Sequence, residues 1–171
     1  MTDIRIALCP EEQHCAVEIA KVRRLRAREQ NRADQLWASH GDGWRADIEG
    51  AAGEMSVAKY LGVYYSGEWK RSDIGARIQV RTRADIHADL PLYPRDGDGD
   101  CFVLVVGQLP TYLLRGWILG RVAKHLERYY EDRPRVGQSW FIPARELHSM
   151  ETLREYLAST DMVRHPSVCP R

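Results

Sequence analysis

The stretch Cys101-Phe102-Val103-Leu104-Val105-Val106-Gly107 carries no charged or hydrogen-bonding polar side chain apart from the Cys101 thiol, and no other feature constrains the fold as much. Its β-branched and aromatic residues favour a strand. Because it is continuously apolar rather than alternating, that strand needs cover on both faces, as in the centre of an α/β sheet. A chain of 171 residues with 44% apolar side chains is enough for one such domain.

The neighbouring segments supply partners for that strand. Pro10-Glu11-Glu12 is a helix start, with proline in the first turn and acids at the positive end of the dipole. The helical spacing runs on to about Ser39 and places Cys15, Ile19, Val22, Leu25, Ala33, Leu36 and Trp37 on one face. A second helix is predicted from about Trp44 to Leu61, ending at Gly62. Its interior contains Gly50 and Gly53, each costing about 1 kcal/mol against alanine, so a closely packed neighbour is expected there. Val63-Tyr64-Tyr65 reads as a short edge strand and Arg77–Arg83 as an alternating one. Pro91–Asp100 reads as a loop, Tyr112–Leu119 as the next strand, and Val122–Tyr130 as helix. Trp140–Pro143 reads as a last strand and Ala144–Ser159 as a closing helix. These elements predict one domain over 1–160, with a helical extension over 1–40 and a loose tail over 161–171. No apolar run reaches the ~20 residues that span a bilayer, and no signal-peptide core opens the chain, so a cytoplasmic protein is expected.

The chemistry-bearing residues concentrate between Gly53 and Arg83. Glu54 borders the apolar stripe of the second helix, Asp73 enters a turn at Gly75, and Gln79 and Arg81 share one face of a strand about 7 Å apart. Oxygen ligands beside a cation form the apparatus of metal-assisted phosphodiester hydrolysis. Each residue also has a plain reading: Glu54 as a solvated helix-border acid, Asp73 as a turn aspartate, Gln79 and Arg81 as the polar side of an amphipathic strand.

The series Gly53-Glu54-Met55-Ser56-Val57-Ala58-Lys59-Tyr60-Leu61-Gly62, Asp73, and Gln79-Val80-Arg81 resembles the active-site motifs of the PD-(D/E)XK nuclease superfamily. Gly116-Trp117-Ile118-Leu119-Gly120 and Trp140-Phe141-Ile142-Pro143 resemble small phage- and prophage-encoded members. The resemblance covers about residues 45 to 150. It implies an α/β fold of restriction-endonuclease-like type: a central mixed sheet of four or five strands flanked by helices on both faces, here with an extra N-terminal helix. It implies Mg²⁺ or Mn²⁺ as cofactor, with Glu54 supporting the metal site, Asp73 as principal ligand and Gln79 as a ligand through its amide oxygen. Arg81 takes the place of the family's lysine. Arginine stays protonated and cannot take a proton from water, but it can orient water or neutralise a phosphate.

The implied activity is DNA phosphodiester cleavage in phage or mobile-element DNA processing, with a homodimer left open. The rivals are a catalytically inactive nuclease-fold DNA-binding module and a phage protein-interaction or inhibitor factor. Candidate DNA contacts are Lys21, Arg24, Arg28 and Arg32, in a helical stretch with six basic residues against the single acid Glu29, and Arg77 and Arg83 beside Arg81. A solvated helix face is the commoner explanation of the first group. His87 lies just beyond the strand and is within reach of the same cleft. Asp96-Gly97-Asp98-Gly99-Asp100 resembles the start of a calcium loop but has Gly107 where the twelfth-position glutamate belongs, and so reads as a hairpin loop. Cys9, Cys15, Cys101 and Cys169 match no zinc or disulfide spacing and are expected to be reduced thiols.

Overall fold

A computed structural model describes residues 3–29, 43–67, 73–75, 77–134 and 136–160. The fold is mixed α/β. In chain order it runs β1 (Ile4–Ala7), α1 (Pro10–Glu29), α2 (Gly43–Leu61), β2 (Ile78–Arg83), β3 (Leu90–Leu92), β4 (Cys101–Gln108) and β5 (Thr111–Leu119). It continues through α3 (Gly120–Lys124), β6 (Tyr130–Arg133), β7 (Gly137–Ile142) and α4 (Met150–Ser159). The main sheet is mixed, in the order β1-β5-β4-β2: β4 is parallel to β2 and antiparallel to β5, and β1 is antiparallel to β5. A second, antiparallel sheet has the order β3-β7-β6.

The apolar run does form the fully buried strand β4, and its two faces feed two cores. Cys101, Val103 and Val105 pack with Ala51, Val57, Leu114 and Leu153 under the helices. Phe102, Leu104 and Val106 pack with Leu90, Leu92, Ile118 and Ile142. The second cover is therefore the small sheet together with the short α3, where a further layer of helices was expected.

Other boundaries also differ. The amino terminus contributes the edge strand β1 before the first helix. Helix α1 spans Pro10–Glu29, and the expected continuation to Ser39 lies outside the described residues, as does the 161–171 tail. The apolar face of α1 is rotated from the expected one. Ala16 and Ala20 are buried, whereas Cys15 is exposed, and Val22 and Leu25 are 43% and 58% exposed. Residues 63–65 form no strand. Leu90-Pro91-Leu92 pairs with β7 inside the expected loop, at a sheet edge, where proline's missing donor is tolerated. The helix expected from Val122 ends at Lys124, because Tyr130–Arg133 leaves to pair with β7. The closing helix starts only at Met150, because His148 is held in a backbone bridge to Trp117. Gly116, at φ +144°, makes that approach feasible: a Cβ there would stand 2.5 Å from the His148 carbonyl oxygen.

No helix among the described residues is long and apolar enough to cross a membrane.

Candidate active site

Helix α2 lies unusually close to β2. A Cβ built on Gly53 would stand 2.0 Å from Thr82 Oγ1, so only glycine permits this spacing. The close approach buries the next residue, Glu54, whose carboxylate is then satisfied from α1 and from the segment after α2. Arg23 grips it with both arms, Nη1 donating to Oε1 at 2.8 Å and Nη2 to Oε2 at 2.6 Å. The Tyr65 hydroxyl donates to Oε2 at 2.7 Å and accepts from Arg23 Nη2 at 3.2 Å. Arg23 Nε donates to the Gly67 carbonyl at 3.0 Å. Burial and the Glu54 charge keep Tyr65 firmly protonated. Burial works against the Arg23 charge, but the Glu54 carboxylate outweighs it and holds the guanidinium protonated.

Asp73 lies beside the outer edge of β2, near enough to Glu54 for their charges to interact. Its amide donates to the Ile78 carbonyl at 3.0 Å, and its Oδ2 accepts the Val80 amide at 2.6 Å. Burial, and then repulsion from Glu54, push its pKa up to about 6, against the lowering effects of the Val80 hydrogen bond and the Arg81 and Arg23 charges. Glu54, buried, and Asp73, half-buried, are thus two carboxylates whose charges repel, with the Arg81 and Arg23 charges acting on Asp73.

Gln79 and Arg81 lie on the other face of the strand. Val80 and Ile78 belong to the core under the helices and Thr82 faces Gly53, so the alternation turns positions 79 and 81 toward the small sheet. Gln79 is half-buried, in register with Phe102 of β4. Arg81 lies 5.3 Å over the Phe102 ring and 5.8 Å over Tyr93, and donates from Nη2 to both oxygens of Asp96 at 3.1 Å. Its Nε is buried with no partner among the described residues. The predicted series is therefore divided: Glu54 and Asp73 are near enough for their charges to interact, while Gln79 and Arg81 present to the opposite side of β2, and Arg81 acts on Asp73 through its charge.

The Asp96–Asp100 loop crosses from the small sheet to β4 instead of turning a hairpin. Lys124 secures it through Asp98 Oδ1 at 2.7 Å and the Asp96 carbonyl at 2.5 Å. Among the basic candidates, Lys21 pairs with Glu18 at 2.5 Å and Arg24 with Asp47 at 2.8 Å. Lys21, Arg24, Leu25 and Trp44 line an open groove of about 480 Å³. The backbone of Arg28 lies in α1, but its side chain and all of Arg32 lie outside the description. Arg77 and Arg83 are exposed at the two ends of β2. His87 sits in an exposed turn, its amide donating to Asp85. Cys9, Cys15 and Cys101 are free thiols, and Cys169 is outside the described residues.

Sequence reading missed Arg23 and Tyr65. The signal for Arg23 was its place three residues after Ala20 and seven after Ala16, on the buried side of α1, where a charge requires a partner. Tyr65 had no comparable signal.

Comparisons with protein-family models, with curated proteins and with solved structures give no match for this chain.

The donor chemistry of the two groups suits a hard divalent cation: both are carboxylates, and burial first, then repulsion from Glu54, raises the Asp73 pKa. Among the described residues no third His, Cys, Asp or Glu joins them.

Proposed function

We propose that this chain is a restriction-endonuclease-like protein that cleaves DNA phosphodiester bonds with Mg²⁺ or Mn²⁺, in phage or mobile-element DNA processing inside the host cytoplasm. The reading rests on Glu54 of α2 and Asp73 beside β2, two carboxylates whose charges interact. The two carboxylates would hold the ion; Gln79, expected as a further ligand, faces the other side of β2 and is left out of that set. Bound there, the ion would supply charge for the phosphate in the transition state and a water of lowered pKa. Arg81, permanently protonated, would neutralise phosphate charge, and Lys21, Arg24, Arg28, Arg32, Arg77 and Arg83 would track the DNA backbone.

A second reading, a DNA-binding module without catalysis, draws on the same side chains. Arg23 already neutralises Glu54, and Arg81 is engaged by Asp96.

Plasmid incubated with the protein and Mg²⁺ or Mn²⁺ separates the readings. Cleavage predicts nicking that Asp73→Ala abolishes, that Arg81→Ala abolishes and that Arg81→Lys retains or raises. Equal rates for all three Arg81 forms would remove Arg81 from the site. Metal-independent gel shifts without nicking, weakening steeply with salt, would establish the binding module instead. No affinity for DNA at low salt would leave only a protein-interaction role.

A further inference from the structure

We propose that Arg23 is a built-in counter-cation of the site, so that a divalent ion and the docked α1 side chain compete for the Glu54 carboxylate. The inference rests on the metal site proposed above and adds its regulation.

The geometry is specific. The guanidinium covers both carboxylate oxygens at 2.8 and 2.6 Å, with only 15% of the Arg23 side chain and 10% of the Glu54 side chain exposed. Tyr65 occupies a further acceptor position of Oε2. A metal ion needs those same oxygen lone pairs, and two cations on one buried carboxylate repel strongly where water screens poorly. The two donors come from separate chain segments: Arg23 is on α1 and Tyr65 follows α2, and Gly67, whose carbonyl accepts from Arg23 Nε, lies two residues beyond Tyr65.

Arg23 is therefore held in place by a network of its own, and releasing it means loosening the α1 end that carries it. The nearby cations Arg24 and Lys21 pair with Asp47 and Glu18, and among the described residues the ion pair to Glu54 is made by Arg23. Asp73, hydrogen-bonded to the Val80 amide, is the other carboxylate proposed to receive the ion.

Titrating the full-length protein with MnCl₂ by calorimetry tests this. Arg23→Gln should bind Mn²⁺ at least about tenfold more tightly than wild type, because a unit charge beside the ligand is removed. Adding Glu54→Gln to that variant should erase the gain, and the neighbouring charge removal Arg24→Gln should not reproduce it. Mn²⁺ affinity in Arg23→Gln no higher than in wild type, including no binding by either, overturns the proposal, as does an equal gain from Arg24→Gln.

If Arg23→Gln does not fold, the wild-type protein answers alone. Amide exchange in the C-terminal half of α1 should accelerate at saturating Mn²⁺, and unchanged or slowed exchange overturns the proposal. A tighter Mn²⁺ site without plasmid nicking by any variant would sink the nuclease reading and leave the competition standing. Nicking without the affinity gain would do the reverse.

Discussion

Asp73 is the residue on which stability and chemistry conflict. Its pKa stands at about 6 in the fold against an ordinary value of 3.8, with burial the largest cause. Between those two values the folded chain holds a proton that the unfolded chain has lost. Raising pH through that window therefore removes stability, on the order of 3 kcal/mol once both limits are passed. Asp73→Asn cannot ionise and keeps an oxygen for the Val80 amide. Scanning calorimetry should show its Tm several degrees above wild type at pH 7.5, the two converging toward pH 4. Identical pH profiles for the two proteins would show that Asp73 is not a strained carboxylate. A half-buried acid that its surroundings disfavour, despite the Val80 hydrogen bond and two guanidinium charges, is a candidate for a functional role.

At the scale of elements, the α2–β2 contact decides whether Glu54 reaches the site at all. Alanine at position 53 gains about 1 kcal/mol of helix propensity but forces its Cβ onto Thr82, a clash costing about 1–3 kcal/mol. Gly53→Ala should therefore destabilise the protein in urea melts. In a Thr82→Ala background the nearest remaining atom is the residue 82 Cβ at 3.0 Å, still a tight contact, and the same substitution should cost markedly less. A penalty unchanged by Thr82→Ala would mean that the helix does not ride on that side chain.

This contact was half legible in the sequence: two helical glycines announced a close neighbour but not which one. The rotation of α1 was less legible, because Ala16 and Ala20 are small and contribute little to a hydrophobicity pattern, whereas the larger Val22 and Leu25 stay exposed. Small-residue interfaces of this kind are set by shape more than by hydrophobicity, and Arg23 was hidden with them. Gln79 and Arg81 were correctly read as same-facing on a strand. What periodicity could not supply was the side of the sheet from which α2 would approach.

For the whole molecule, β4 joins the two cores. Phe102 is fully buried on the small-sheet side while Val103, its neighbour, is buried on the helix side. Phe102→Ala should cost about 3–5 kcal/mol, and near- and far-UV circular dichroism should still lose signal in one coincident urea transition. Two separated transitions would show that the layers unfold independently. The apolar run made the central strand readable from sequence, together with the need to cover it twice. It left open what the second cover would be. Charged β6 and proline-containing β3 carry weak strand signals, and they become strands only by pairing with β7.

The way Asp73 sits along β2 has one more result, for the protein's behaviour in solution. A strand at the rim of a sheet offers bare amides and carbonyls to any passing chain, a common start of self-association. Here the Ile78 carbonyl accepts from Asp73 and Ile74, and the Asp73 carboxylate caps the Val80 amide. The side chain proposed for chemistry thus also serves as a gatekeeper against sticking. An alanine there strips that guard and exposes a fresh seam to neighbouring molecules, whereas asparagine keeps it closed, so light scattering should find clumping in the first variant and none in the second.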